Sequence, residues 1–324
     1  MECGNVGNEI KVFSLSSSVE LTKEICKHLE ISQGKCTVRH FADGEILIEP
    51  EESVRGKHVF LVQSTCSPSS ERVMEVLIAL DALRRASAKE ITVVIPYFGY
   101  SRQDRKARAR QPVSARLVAD LLEVAGADRI LTIDLHAPQI QGFFKIPTDD
   151  LSVVSMFGQY YRSLGFDKNV VVVSPDHGGA TRARKLADTL PNATVAIIDK
   201  RRTQPNKAEA MNLIGDVKGK RAIIVDDIID TGGSLLNGVE MLYKKGATGV
   251  YACCSHGVLS LDAVQRIEDS RIIELVITNS IPLSKKKKKT TKIKEISIAY
   301  MLAKTIEAIH THSPVSEIYN LFSD

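Results

Sequence analysis

Short apolar runs rich in Val and Ile recur along the 324-residue chain, separated by stretches with helical periodicity. The runs are apolar at consecutive rather than alternate positions, as in strands buried on both faces. They predict strands over residues 11–14, 58–63, 90–96, 129–134, 170–174, 194–198, 221–225, 249–254 and 274–278. The segments between them predict helices over 19–29, 70–86, 112–125, 152–164, 179–190, 234–245, 262–268 and 296–309. This alternation implies the α/β class, with mainly parallel sheets covered by helices on both faces. A weak internal echo divides the chain. The strand at 58–63, its loop, its helix and the run 86–96 parallel the strand at 221–225, its loop, its helix and the run 246–253. Two similar domains are therefore expected, 1–150 and 151–324.

The richest chemistry lies in Ala222-Ile-Ile-Val-Asp226-Asp227-Ile-Ile-Asp230-Thr231-Gly232-Gly233-Ser234. A buried strand delivers two carboxylates to its C-terminal end, where open α/β sheets bind ligands. The loop from Asp230 to Ser234 can wrap backbone N–H groups around a phosphate, because Gly allows the dihedrals and the close approach. The helix that follows turns its positive end toward the anion. Phosphate in the loop and carboxylates beside it suit a sugar phosphate, whose hydroxyls the acids can accept. A tight turn with surface acids is the bland alternative; strand, loop and helix context together favour the ligand site. The corresponding loop of the first half, Ser64-Thr-Cys-Ser-Pro-Ser-Ser70, contains no glycine.

Composition narrows the partners. The hydrophobic fraction is 44% and the charged fraction 25%, ordinary for a globular protein. The formal net charge of +4 permits anionic substrates without demanding nucleic acid. No apolar run approaches the roughly 18 residues of a membrane span. The first eight residues have neither the basic nor the apolar region of a secretory signal, so a cytoplasmic protein with reduced cysteines is expected. The tract Lys285–Lys289 reads as a solvated loop, since no aromatic residue interleaves to stack a base; nucleic-acid binding is the disfavoured reading.

Further segments carry a family resemblance. They are Phe41-Ala-Asp43-Gly44-Glu45, Pro96-Tyr-Phe-Gly-Tyr-Ser-Arg102-Gln103-Asp104-Arg105-Lys106, Asp134-Leu-His136-Ala-Pro-Gln-Ile-Gln-Gly-Phe-Phe144, Ser174-Pro-Asp176-His-Gly178-Gly179 and Asp199-Lys200-Arg201-Arg202. With the loop after Asp226 they resemble, in order and spacing, the phosphoribosyl-pyrophosphate (PRPP) synthetases, or ribose-phosphate diphosphokinases, of the phosphate-activated class. The resemblance implies two phosphoribosyltransferase-like domains and one reaction: Mg-ATP and ribose 5-phosphate give PRPP and AMP. No Walker A motif is present, so ATP is held differently from P-loop enzymes.

The resemblance also implies roles. Lys200 and Arg202 are the catalytic cations of a mobile loop. Phe41, Asp43 and Glu45 form an adenine-binding hairpin supplied by a neighbouring subunit, and Arg102, Gln103, Asp104 and His136 bind ATP. Asp176, Asp226, Asp227, Asp230, Thr231, Gly232, Gly233 and Ser234 bind ribose 5-phosphate and PRPP. Asp134, His136, Asp149 and Asp176 are the residues associated with Mg²⁺. A homo-oligomer, a hexamer built from dimers, is implied, with inorganic phosphate or ADP as candidate effectors. An N-cap of the following helix is the structural alternative for Asp176.

The chain departs from the family pattern at several places. Lys145 stands where most members have Asp, removing a direct metal role there, and Ala107 replaces another Asp. Ser14-Leu-Ser-Ser-Ser18 replaces a motif rich in Gly and Asn, and Pro314-Val315-Ser316 replaces Ser-Val-Ser at a regulatory site. The departures keep a second reading in view, a catalytically weak or inactive regulatory subunit associated with true synthetases. A phosphoribosyltransferase, or a transcription factor on that fold, would need only the loop after Asp226 and leaves the upstream segments unexplained.

Overall fold

The computed structural model describes residues 10–201, 210–284 and 290–322, and the chain divides into two compact units. The first comprises the chain to Leu151 with Ser280–Pro282 and Ser297–Ile318; the second comprises Ser152–Asn279 and Leu283–Ile296.

In the first unit the order is β1 (Ile10–Ser14), α1 (Val19–His28), β2 (Cys36–His40), β3 (Ile46–Pro50), β4 (His58–Val62), α2 (Ser69–Arg85), β5 (Glu90–Ile95), α3 (Ser114–Ala125), β6 (Arg129–Ile133) and β7 (Thr148–Leu151). Five strands form one parallel sheet in the order β1-β4-β5-β6-β7. Every residue of β4 is buried, as its unbroken apolar run predicts. Leu61, Val93 and Ile130 of the sheet share one core with Val76 and Leu80 of α2 and Leu122 of α3. β2 and β3 stand apart as an antiparallel hairpin.

The loop after β4 is occupied by its own hydrogen bonds. Ser17 N–H donates to Gln63 Oε1 at 3.0 Å, Ser17 Oγ–H donates to Ser64 O at 2.7 Å, and Ser64 N–H donates to Ser18 Oγ at 2.9 Å. The serines of the 14–18 run thus bind their own fold.

The second unit continues with α4 (Val154–Ser163), β8 (Val170–Ser174), α5 (Ala180–Asp188), β9 (Thr194–Arg201), β10 (Ala210–Ile214), β11 (Arg221–Ile229), α6 (Gly233–Lys244), β12 (Gly249–Gly257), α7 (Ala263–Asp269), β13 (Glu274–Thr278) and β14 (Ile293–Ile296). Its sheet runs β10-β9-β8-β11-β12-β13-β14, with only β10 antiparallel to its neighbour. The chain then returns to the first unit as α8 (Ala299–His310).

All nine strands expected from apolar runs are present. The runs miss β2, β3, β7, β10 and β14, which are short hairpin or edge strands. β14 shows why: two of its four residues, Lys294 and Glu295, are exposed. Residue 296, expected to open the last helix, ends that strand instead. The segment Ser297–Ile318, which contains α8, counts with the second half in sequence order but belongs to the first unit. The Lys285–Lys289 tract lies outside the described residues. Among the described residues no helix is long and apolar enough to cross a membrane.

Candidate active site

β11 does not end before its paired acids. Its pairing with β8 stops at Ile224↔Val173, while its pairing with β12 continues to Ile229↔Gly257. Asp226 and Asp227 therefore lie inside β11, past the end of its ladder with β8 and within its ladder with β12. Asp227 N–H donates to Asp226 Oδ1 at 2.9 Å. Arg182, on the first turn of α5, reaches Asp227 Oδ1 at 3.3 Å and Asp226 Oδ1 at 3.8 Å. Burial and the adjoining Asp227 push the Asp226 carboxyl up to about 8, and the Arg182 guanidinium opposes the shift.

The loop that follows is built for close approach. Gly232 has φ +74°, a conformation other residues rarely adopt, and immediately precedes α6. Asp226, Ile228, Ile229, Asp230, Thr231, Gly232, Ser234 and Leu235 line a cavity of about 170 Å³. It opens beside the N-terminal turn of α6, whose N–H groups and dipole favour an anion. The segment after β12 steadies the loop from behind: Leu259 N–H donates to Ile229 O at 3.0 Å, Ser260 N–H to Asp230 O at 3.0 Å and Arg266 Nη1 to Thr231 O at 3.1 Å. The expected phosphate loop and Asp226 are thus brought around one cavity.

Other strand ends of this unit carry further expected residues. Asp176 is exposed after β8, and its Oδ1 accepts Gly179 N–H at 3.0 Å, holding the turn into α5. His177 Nε2 lies 3.0 Å from Asp199 Oδ1, a mostly buried carboxylate at the end of β9. Lys200 is the penultimate residue of β9, and Arg202 lies outside the described residues. Arg182 and His177 were not among the expected site residues. A helix residue several positions past a motif gives no local signal that it folds back onto the acids of another strand.

In the first unit, Asp134 follows β6 with φ +38° and is nearly buried; its N–H donates to Leu151 O at 2.8 Å. His136 is exposed. Leu135 N–H, between them, donates to Asp150 Oδ1 at 3.1 Å. Asp149, expected near Mg²⁺, is engaged on the opposite face of its strand from Asp150. Asp149 Oδ2 pairs with Arg129 Nη1 at 2.8 Å, at the start of β6, and successive strand residues point to opposite faces. Asp150, not Asp149, reaches the 134–136 segment.

The loop after β5 comes to the same segment: Gln139 Nε2 donates to Asp104 Oδ2 at 3.2 Å. Gln103 holds the start of α3, accepting Ser114 Oγ–H at 2.6 Å and Ala115 N–H at 3.2 Å, while Arg102 is exposed. Phe41, Asp43 and Glu45 form the tip of the β2–β3 hairpin. Glu45 N–H donates to Asp43 Oδ1 at 3.1 Å, and Phe41 is 54% exposed. Lys145 lies elsewhere: it precedes β7, and its N–H donates to Glu123 Oε1 in the last turn of α3. That is the edge where β7 begins, opposite the strand ends that carry Asp134 and His136.

Among the described residues, one group of three His, Cys, Asp or Glu side chains is close enough to share an ion: His40, Glu71 and Glu75. Arg72 pairs with both acids, so the charge of the group is partly offset within the fold. Mg²⁺ does not require such a cluster. It commonly binds one or two protein carboxylates and completes its shell with water and substrate phosphates.

Comparison with known proteins fits this geometry. A model of the N-terminal domain of ribose phosphate pyrophosphokinase matches residues 10–126, and one of the phosphoribosyl synthetase-associated domain matches residues 201–320. A ribose-phosphate pyrophosphokinase of Bacillus cereus is 53% identical over 315 residues, covering 97% of this chain and 98% of the relative. One from Oceanobacillus iheyensis is 54% identical, with the same coverage. The crystal structure of phosphoribosylpyrophosphate synthetase from Mycobacterium smegmatis superimposes with a TM-score of 0.90 at 42% identity, over 94% of this chain and all of that one. With likeness running through both units, the chain belongs to the ribose-phosphate pyrophosphokinase family.

Proposed function

We propose that this protein is a ribose-phosphate diphosphokinase. It transfers the pyrophosphoryl group of Mg-ATP to the C1 hydroxyl of ribose 5-phosphate, giving PRPP and AMP. The observation that carries the reading is the cavity where Asp226 and the loop Asp230–Ser234 meet the start of α6. The 5-phosphate binds the N–H groups of Thr231, Gly232, Gly233 and Ser234, and the Thr231 and Ser234 hydroxyls add donors. Asp226 accepts from a ribose hydroxyl, with Asp227 braced behind it. Asp176 stands at the neighbouring strand end on the ribose side.

The reading assigns ATP to the loops of the first unit. Arg102 neutralises phosphate, Asp104 and Gln103 shape the pocket through Gln139 and α3, and the exposed His136 donates to a phosphate oxygen. Asp134, Asp150 and Asp176 offer oxygen donors of the type Mg²⁺ prefers, whereas a histidine nitrogen suits it poorly. When bound, Mg²⁺ neutralises charge on the ATP phosphates. Lys200 and Arg202 supply the remaining cations; transfer of this kind depends mainly on in-line positioning and charge stabilisation.

Phe41 at the exposed hairpin tip is suited to stack an adenine on a neighbouring copy, which makes the working enzyme a homo-oligomer, a dimer-based hexamer in this reading. Inorganic phosphate and ADP are the expected effectors, with Pro314 in place of a hydroxyl altering that response. A cytoplasmic location completes the proposal.

Calorimetric titration of ribose 5-phosphate tests the assignment of the cavity. Gly232→Ala forces a side chain into left-handed backbone at a cost of about 1–2 kcal/mol. It is expected to weaken ribose 5-phosphate binding about tenfold while ATP binding stays unchanged. Equal affinity of the variant and the parent for ribose 5-phosphate would refute the cavity as its site.

A further inference from the structure

Arg182 has no part in the ligand contacts set out above, yet it occupies a defined place between two elements. β8 ends at Ser174, and among the described residues its ladder with β11 stops at Ile224. Asp226 and Asp227 lie just beyond that point, and α5 folds back from β8 and brings Arg182 to them. The Arg182 side chain is 19% exposed and that of Asp227 is 7% exposed, so the 3.3 Å contact is shielded from water. Asp226 faces the cavity and Asp227 is absent from its lining.

Arg182 grips Asp227 at 3.3 Å and lies 3.8 Å from Asp226, Asp227 N–H grips Asp226 Oδ1, and Asp226 lines the cavity. From this juxtaposition we infer that Arg182 is a positioning residue for ribose 5-phosphate, acting through Asp227 on the carboxylate of Asp226. The inference rests on the reading of the cavity as the ribose 5-phosphate site.

The arrangement has physical consequences. Two adjacent carboxyl groups share this buried site, and removing a cation that bridges them leaves the pair with less compensation. The pair then loses its fixed orientation, which spoils the acceptor geometry toward the sugar. Lys is an imperfect substitute, since its ammonium is a point charge on a flexible stem, whereas the rigid guanidinium holds Nη1 between the two acids. ATP makes no use of the pair, so its apparent affinity is not expected to follow.

The test measures steady-state PRPP formation by Arg182→Ala, Arg182→Lys, Asp227→Asn and the double variant Arg182→Ala/Asp227→Asn. Loss of a charge-assisted hydrogen bond predicts that Arg182→Ala raises the KM for ribose 5-phosphate by about tenfold or more, leaving the KM for ATP near the parent value. Arg182→Lys recovers part of the loss. The double variant is no worse in KM than the worse single variant, because both changes break one chain of contacts. The inference is overturned by an unchanged KM for ribose 5-phosphate in Arg182→Ala, by a rise shared equally with ATP, or by losses that multiply in the double variant. Arg182→Lys, which keeps the charge, covers the case in which the alanine variant fails to fold. If the unmodified protein forms no PRPP, the reading of the site fails first, and these comparisons separate the two failures.

Discussion

Asp149 and Asp150 are adjacent and chemically alike, and their roles differ because one strand points them to opposite faces. Asp149 pairs with Arg129 on β6, while Asp150 accepts Leu135 N–H between Asp134 and His136. Asp150→Asn is therefore expected to lower turnover or raise the Mg²⁺ requirement at least tenfold, since it alters the segment assigned to Mg-ATP. Asp149→Asn breaks a partly buried ion pair, at a cost of about 1–3 kcal/mol in stability, and leaves turnover near the parent value. Steady-state rates over a Mg²⁺ titration check both; the reverse ranking would return the metal role to Asp149. No sequence reading separates two consecutive aspartates until the strand register is known. The motif segments make the loop and its cavity legible, because a glycine at φ > 0 and a strand–loop–helix order are local requirements. Arg182 was invisible for the opposite reason, since its partners lie more than forty positions away. Lys145, alarming in the sequence as a reversed charge, is beside Glu123 at the edge where β7 begins, so nothing in the local geometry favours an inactive regulatory subunit.

Among the elements, the buried strands were legible from composition alone, and the edge strands were not. β14 is held by contacts that no apolar pattern encodes. Glu268, near the end of α7, accepts Thr290 Oγ1–H at 2.5 Å, Thr291 N–H at 3.1 Å and Lys292 N–H at 3.3 Å, immediately before the strand begins. The Thr290 and Thr291 hydrogen bonds hold the Glu268 carboxyl down at about 2. A depressed carboxylate contributes stability that is present above its ordinary value near 4.5 and is lost as pH falls through about 2. Glu268→Gln is expected to speed amide exchange at residues 290–294 at neutral pH, with the exchange of β11 and β12 unaltered. Hydrogen-exchange mass spectrometry reads this directly, and unchanged protection at 290–294 would show that the clasp does not hold β14. β11 ran longer than its apolar core predicted because β12 continues to pair with it past the two acids. Tertiary pairing overrode the expectation that charged residues end a strand.

Taken whole, the molecule repeats one α/β plan in two units, and only the second unit has the glycine loop. The last helix returns to the first unit, a crossing that sequence order conceals. There, His310 ends α8 with its ring 5.8 Å from that of His58, at the start of β4. His58 also faces Thr92 at 2.9 Å, Glu90 at 3.8 Å and the ring of Phe60. Burial lowers the His58 imidazole from 6.5 to about 4, with positive charge from His310, Arg129 and His312 adding to the effect and Asp128 opposing it. The sign follows: between pH 6.5 and 4 the unfolded chain binds this proton and the folded chain does not, so stability falls as pH falls through that window. Denaturant unfolding at several pH values should show a loss of about 2–3 kcal/mol from this group. His58→Gln should flatten that part of the profile; an unchanged slope would mean that His58 is protonated in the folded state.

The central claim is the reaction itself. Purified protein with Mg²⁺, ATP and ribose 5-phosphate is predicted to form AMP and PRPP in equal amounts, with no ADP produced, because the pyrophosphoryl group moves whole. Inorganic phosphate is expected to change the rate without changing that ratio. ADP as the nucleotide product, or no product from folded protein that binds both substrates, would contradict the account.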